Sequence, residues 1–237
     1  MCAVSLAGSK VCIGREGSIA RGRLHHWHHR RHRWSAGTET ALSGRRRVWA
    51  RSPGRAAGRT RRAGCEARVG DLAGMTVEEL AAVSGDVDVI VFSAGSNGGS
   101  KEVTKAIDGD GVVKAMKAAG LAGVERFVLV SVLPESWRER NLGDEVEYYF
   151  AVKKGADVAV SRSDLNWLIV RPSLLLDGPG SGTVSLGPAE LHGEITRDDV
   201  AATLAELLHE PRIDRQILEL NSGSTPIEEA VRANVRG

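Results

Sequence analysis

The chain has 237 residues, of which 42% are hydrophobic and 26% are charged, a composition typical of a globular protein with one large α/β domain or two small ones. No apolar run approaches the roughly 20 residues of a membrane span or forms a secretory signal, so we expect a cytoplasmic protein that acts without a membrane. Three cysteines without CxxC spacing, Cys2, Cys12 and Cys65, support neither a disulfide framework nor a metal site.

Charge is distributed unevenly along the chain. Residues 1–70 contain fifteen Arg and one Lys against three Glu, a net charge of +13, whereas residues 71–237 contain sixteen basic and twenty-seven acidic residues, a net charge of −11. The run HHWHHRRHRW at 25–34 could bind a metal through His or a nucleic acid through Arg and Trp. We prefer a basic segment without fixed structure, because nothing around the run would fix a ligand's geometry. Nucleic acid is therefore not an expected partner, and the oligomeric state stays open.

The first motif along the chain is KVCIGREGSIARG, in which Gly14, Gly17 and Ala20 have GxxGxxA spacing after a short apolar run. Such spacing is typical of a turn that receives phosphate, so Gly14 and Gly17 are candidate cofactor-binding residues. Ala20 nevertheless lies 28 residues before the strand predicted at Val48, and the residues between them make a poor helix. A lone pattern of this kind is weak evidence.

Residues from 70 onward alternate between helix and strand patterns. Thr76 followed by Glu79 is a capping box that predicts a short amphipathic helix. The apolar run at 87–93 predicts a strand that is buried on both faces and stops at Ala94-Gly95. Further helices are predicted in DGDGVVKAMKAAG, DEVEYYFAVKKGADVAVSRS, TRDDVAATLAELLHEP (capped by Thr196) and PIEEAVRANV, and further strands in RFVLVSV, NWLIVRPS and QILELNSG.

Apolar strands that alternate with helices indicate an α/β fold with a doubly wound parallel sheet, covering residues 46–237 and preceded by an atypical basic segment at 1–45. Ligands of this class bind at the carboxyl ends of the strands. The candidate binding residues are those that end the predicted strands, namely Ser93, Ala94, Gly95, Ser131, Pro172 and Ser173. Each of them alone could equally be an ordinary turn or cap. The segment SLLLDGPGSGTVSLG is expected to be an irregular loop that shapes a substrate pocket.

Six segments in order, VGDL, VFSAGS, RFVLVSV, YFAVKKGAD, WLIVRPSLLLDGPGSGTVSLG and ELNSGSTPIEEAV, resemble the atypical short-chain dehydrogenase/reductases, in particular the NAD(P)H-binding group of NmrA-like and flavin- or biliverdin-reductase-like proteins. The resemblance implies a Rossmann-type fold and hydride transfer between NADP or NAD and a small carbonyl or flavin-like substrate. A sensor that binds the dinucleotide without turnover is the alternative. By the same resemblance, Asp71 and Leu72 would contact the adenine, and the turn at 93–95 would lie along the ribose. Ser131, Tyr149 and Lys153 would match the catalytic Ser and YxxxK positions.

The chemistry of these residues can be argued independently. Tyr149 and Lys153 lie four residues apart on a predicted helix, so they project from one face about one turn apart. A phenol pKa of about 10 is too high for ready proton donation at neutral pH, and we expect a nearby ammonium to lower it. Ser131 could then orient a substrate carbonyl. Equally, the two side chains could be a packing residue and a solvated lysine, and Tyr148 or Lys154 could take the role instead.

A glycine-rich turn is missing from the place where the resemblance puts it. That place lies near residues 30–36, before the strand predicted at 48–50, and RRHRWSA stands there. Arg51, just after the strand, stands where the 2′-phosphate of NADP would be met, which favours NADP.

A shift in reading frame would explain the missing turn. His is encoded by CAY, Arg by CGN and Trp by TGG, so HHRRHRW read one base later permits ITGATGG at residues 28–34. We therefore hypothesise that residues from 20 to 45 are a shifted translation and that the cofactor site is damaged in this chain.

Overall fold

The computed structural model describes residues 71–236, apart from residues 86 and 97, together with three short strands that precede them. The strands in chain order are β1 (Cys12–Gly14), β2 (Arg47–Trp49), β3 (Cys65–Ala67), β4 (Val89–Phe92), β5 (Arg126–Val130), β6 (Asn166–Pro172), β7 (Leu174–Leu176), β8 (Thr183–Gly187), β9 (Glu194–Thr196), β10 (Gln216–Ser222) and β11 (Thr225–Pro226). One sheet has the order β11-β8-β10-β6-β5-β4-β1-β2-β3, and β7 pairs with β9 in a separate sheet. Within these described residues, no helix has the length and apolar character needed to cross a membrane.

The centre of the large sheet is parallel. Strands β10, β6, β5 and β4 run in one direction, which confirms the predicted doubly wound α/β fold. Strands β8 and β11 extend this sheet in antiparallel fashion, and β1 runs antiparallel to both of its neighbours, β4 and β2. The sheet is therefore mixed, whereas the sequence predicted a parallel one.

Both faces of the central strands are buried, which explains their continuous apolar sequences. Successive strand residues point to opposite faces. In β4, Ile90 and Phe92 pack into one hydrophobic cluster, whereas Val89 and Val91 pack into the other. The same alternation continues through β5 and β6, so the sheet separates two cores and needs helices on both sides.

The helices are α1 (Val77–Ser84), α2 (Lys101–Thr104), a π-helical turn (Lys105–Asp110), α3 (Gly111–Leu121), a 3-10 turn (Arg138–Arg140), α4 (Asp144–Ser161), α5 (Arg197–Leu208) and α6 (Ile227–Arg232). The capping box at Thr76 is confirmed, because the Glu79 N–H donates to Thr76 Oγ1 and the Thr76 N–H donates to a Glu79 carboxylate oxygen. Thr196 likewise caps α5 by accepting from the Asp199 N–H at 3.1 Å. Helices α1, α3 and α4 cover one face of the sheet, and α5 and α6 cover the other.

The expectation of an irregular loop in SLLLDGPGSGTVSLG is wrong at both ends of the segment. Leu174–Leu176 forms β7, which pairs with β9. Thr183–Gly187 forms β8, which pairs with β10 in the large sheet. Val184 is fully buried and Leu186 is 9% exposed, so both belong to the core. The alternation of these two residues with Thr183 and Ser185 is the strand pattern that the surrounding glycines obscure.

Candidate functional site

The carboxyl ends of the central strands bring the predicted polar residues to one edge of the sheet. Ser131 follows β5, and its N–H donates to the Val170 carbonyl of β6 at 2.7 Å. Ser173 follows β6, and its N–H donates to the Leu220 carbonyl of β10 at 2.8 Å. The turn at 93–95 follows β4, next to β5. This carboxyl edge is where doubly wound proteins bind ligands.

Ser131 is buried beside a charged pair. Its Oγ makes no well-formed hydrogen bond to the described part of the chain, and neither does Asp157 Oδ1. The other oxygen of Asp157 accepts from Arg171 Nε at 3.0 Å and from Arg171 Nη2 at 2.8 Å. Burial raises the pKa of the Asp157 carboxyl, and Ser131, Arg171 and Lys153 partly oppose this rise. The Ser131 hydroxyl therefore acts on the Asp157 carboxyl, and Ser131 Oγ and Asp157 Oδ1 are both buried.

Lys153 points inward from α4 to the end of β5. Its Nζ donates to the Val130 carbonyl at 3.1 Å and lies 3.6 Å from Asp108 Oδ1. The side chains of Lys153 and Asp108 are only 3% and 0% exposed. Lys154 instead pairs with Glu135 at the surface, which leaves Lys153 as the lysine of the site.

Asp108 was not among the residues predicted from the sequence, although it contacts two predicted site elements. Its Oδ2 accepts from the Ser96 N–H at 2.9 Å, directly after the turn at 93–95. A Cβ built on Gly95 would lie 3.5 Å from Asp108 Oδ1, so that turn passes close to the carboxylate. The sequence signal is weak, because AIDGDGVV contains two aspartates and nothing in the sequence distinguishes the buried Asp108 from the exposed Asp110.

Tyr149 lies one helical turn before Lys153, about 6 Å along the axis of α4. Because α4 runs back towards the amino ends of the strands, Tyr149 lies on the side of Lys153 that is nearer the carboxyl edge. Burial raises the pKa of Tyr149, and the nearby Asp108 carboxylate raises it further. The expected lowering of this pKa by Lys153 is therefore wrong, since burial, the larger cause, and Asp108 both act in the opposite direction. Tyr148 faces elsewhere, with the Lys101 ammonium 5.5 Å from its ring centre.

The two residues expected at the adenine differ in exposure. Asp71 is exposed, and its carboxylate accepts from the Ala73 N–H at 3.1 Å. Leu72 is fully buried in the core, and a Cβ built on Gly111 would lie 3.0 Å from its Cδ2. The side chain of Leu72 therefore packs against α3, and only Asp71 presents its side chain to a ligand.

Of the residues predicted for the phosphates, the structure describes Gly14, and it lies away from the carboxyl edge. Gly14 ends β1 and pairs with Val89, the first residue of β4, so it lies at the amino edge, opposite Ser131. Gly17 and Arg51 lie outside the described residues. The strand predicted at 48–50 is confirmed as β2, which runs in the same direction as β4.

An aromatic stack connects two loops at the carboxyl edge. The rings of Trp137 and His192 are 3.9 Å apart and nearly parallel, and the Arg140 guanidinium lies 4.1 Å from the Trp137 ring centre. Trp137 has a φ of +60°, a conformation that costs about 1–3 kcal/mol and occurs often at ligand clamps. The neighbour of His192, Gly193, donates its N–H to Ser173 Oγ at 3.2 Å, which ties the stack to the end of β6.

These features define a class of protein, the doubly wound proteins that bind a ligand across the carboxyl ends of a parallel sheet. The sequence model of the NAD(P)H-binding family matches residues 39–211. The chain therefore belongs to this family, and the class of cofactor is a nicotinamide dinucleotide.

Several known proteins are similar over most of their length. The uncharacterized sugar epimerase YhfK of Bacillus subtilis is 40% identical over 171 residues, which cover 72% of this chain and 79% of that protein. A putative NAD-dependent epimerase/dehydratase from Bacillus halodurans has 30% identity and a TM-score of 0.66, covering 73% of this chain and 80% of its own. The anaerobillin reductase ChuY of Escherichia coli O157:H7 has 25% identity and a TM-score of 0.58, covering 75% and 83%.

Proposed function

We propose that this protein is an NAD(P)H-dependent oxidoreductase that reduces a small carbonyl or flavin-like substrate in the cytoplasm. The observation that carries the proposal is the convergence of Ser131, Tyr149 and Lys153 at the carboxyl edge, beside the turn at 93–95. The similarity to an anaerobillin reductase supports a conjugated substrate. NADP is favoured over NAD by Arg51 alone.

The described residues fit one half of the cofactor. The turn at 93–95 and the end of β6 at Pro172 and Ser173 would offer backbone and small side chains to the ribose and nicotinamide, with Ser131 nearby at the end of β5. Asp71 is available to the adenine. The residues that would receive the pyrophosphate lie outside the described part of the chain, and we propose that the glycine turn has been lost from the sequence there.

The site supplies a proton to the substrate. A bound reduced nicotinamide provides the hydride for the substrate carbon or ring. Ser131 orients the substrate oxygen, and Tyr149 Oη gives its proton to that oxygen and recovers one from solvent. Because its pKa is raised, Tyr149 is a weaker acid than a free phenol and stays protonated, so its proton moves only as negative charge develops on the substrate oxygen. A protonated phenol can donate but cannot accept a proton, which favours reduction over the oxidation that begins an epimerisation.

Substitution of Tyr149 tests the proposal. NADPH consumption is measured with flavin mononucleotide, biliverdin and a small quinone, using the natural chain and a variant with ITGATGG at residues 28–34, called the repaired variant. In the repaired variant, Tyr149→Phe should lower kcat by about 100-fold and leave the NADPH Kd unchanged. Tyr148→Phe is the matched control and should retain activity.

Three outcomes would contradict the proposal. Equal turnover in Tyr149→Phe and Tyr148→Phe would remove Tyr149 from the chemistry. Tight NADPH binding without consumption of any acceptor would instead favour the sensor. Conversion of a sugar without net cofactor consumption would favour an epimerase.

A further inference from the structure

Asp108 is a fully buried carboxylate that has no role in the proposed proton transfer. It lies in the π-helical turn Lys105–Asp110 between α2 and α3. Single π-helical turns within helices occur often at functional sites, because the extra residue redirects a side chain. Burying a carboxylate is unfavourable unless it is paired and hydrogen-bonded. The partners of Asp108 therefore indicate why this position is acidic.

The contacts of Asp108 join three elements of the carboxyl edge. Through Ser96 it holds the turn that follows β4, with a hydrogen bond of 2.9 Å. Through Lys153, at 3.6 Å, it holds α4. Lys153 in turn donates to the Val130 carbonyl, the last residue of β5. One carboxylate thus links the end of β4, the end of β5 and the helix that carries Tyr149.

The charge of Lys153 depends on these surroundings. Burial lowers the pKa of Lys153, whereas Asp108 and, more weakly, Asp157 raise it. The Val130 carbonyl stabilises a donor but supplies no charge. Asp157 is already engaged by Arg171, with two hydrogen bonds to one oxygen. Asp108 is therefore the principal counter-ion of Lys153.

We propose that Asp108 is the positioning residue of this site. It fixes Lys153 against the end of β5 and keeps the turn at 93–96 in a fixed position relative to α4. Asp108 does not touch the substrate and acts through Lys153 and Ser96. The inference rests on the proposed function for its catalytic meaning, but its test needs neither cofactor nor substrate.

Competitive labelling with acetic anhydride tests the pairing in the full chain. The label reacts with neutral amines, and mass spectrometry reports each lysine separately over a range from about pH 7 to about pH 11. The buried Lys153 should react more slowly than the exposed Lys117 because the label reaches it less easily, although burial lowers the pKa of Lys153 and so raises its neutral fraction. In Asp108→Asn, the midpoint of the Lys153 labelling curve should move to lower pH. Its labelling at neutral pH should rise by about tenfold if that midpoint falls by about one pH unit. Asp108→Glu should restore the slow labelling.

Asp110→Asn is the matched control. Asp110 lies on the same turn but pairs with Lys105 at the surface, where its side chain is 64% exposed. This variant should leave the Lys153 midpoint unchanged. The proposal is overturned if Asp108→Asn and Asp110→Asn give the same Lys153 midpoint.

A second variant covers the case in which Asp108→Asn does not fold. Asp108→Asn combined with Lys153→Met removes both charges together and should fold, as judged by circular dichroism. If the double variant is also unfolded while Lys153→Met alone is folded, Asp108 is needed for packing rather than for pairing, and the proposal fails.

Discussion

Replacement of Arg126 by Met should destabilise the fold without affecting the site. Arg126 begins β5 at the amino edge and is 9% exposed. Its guanidinium donates to the carbonyls of Leu207 and Ile213 in the interior, and to two more at Glu210 and Pro211, at 3.1 to 3.3 Å. It therefore supplies donors to carbonyls at and beyond the end of α5, where helical N–H partners run out.

The magnitude follows from which carbonyls keep another donor. Without Arg126 the Leu207 carbonyl still accepts from the Glu210 N–H at 3.3 Å, whereas the interior Ile213 carbonyl loses its guanidinium donor, at a cost of about 1–3 kcal/mol. Methionine keeps much of the aliphatic stem, so we expect a net loss of about 2 kcal/mol in the free energy of unfolding. For a domain of this size the melting temperature should fall by roughly 4–8 °C.

Urea unfolding followed by circular dichroism measures the change. The matched control is Arg212→Met, because Arg212 lies nearby but its side chain is 67% exposed and pairs with Glu210 at the surface. This control should change the free energy of unfolding by less than about 0.5 kcal/mol. Equal effects of the two substitutions would refute the reasoning, since burial of the carbonyls would then not matter.

Three further predictions concern pH and the gene. In a pH titration followed by tyrosinate absorbance, one tyrosine should ionise with a pKa above the ordinary value of about 10, and Tyr149→Phe should abolish this high-pH ionisation. Its loss in Tyr148→Phe would contradict the assignment. Burial and Arg140 lower the pKa of His192, and Glu219 partly opposes this lowering. Stability that is present above about pH 6.5 should therefore be lost as the pH falls through the folded-state pKa of His192, and His192→Gln should remove this loss. An unchanged pH profile of stability in that variant would contradict the prediction. Sequencing the gene should show codons that spell a glycine turn in another frame within residues 20–45, and codons that spell none in either frame would end the frameshift hypothesis.

Most of the fold could be predicted from the sequence because its signals are local. The apolar blocks of β4, β5 and β6 indicate buried strands, and Thr76 and Thr196 mark helix starts through their own capping contacts. Strand β8 was not predicted because glycine and serine surround its short pattern of alternating apolar and polar residues. Its place in the sheet is decided by pairing with β10, which is distant in sequence.

The site could be predicted less completely because its electrostatics are not local. The spacing of Tyr149 and Lys153 is visible in the sequence, but the direction of the Tyr149 pKa depends on burial and on Asp108. Asp108 reaches Lys153 only because the π-helical turn and α4 pack together. The pairing of Trp137 with His192 likewise joins two loops that no sequence pattern connects.

A titration with NADPH, followed by nicotinamide fluorescence, tests most directly whether the carboxyl edge is a dinucleotide site that lacks its glycine turn. The repaired variant should bind with a Kd in the micromolar range, equivalent to about 8 kcal/mol of binding free energy. The natural chain should bind at least about 100-fold more weakly, a difference of about 2.7 kcal/mol. Failure of both chains to bind would contradict the cofactor site, and equal binding by both would contradict the loss of the turn.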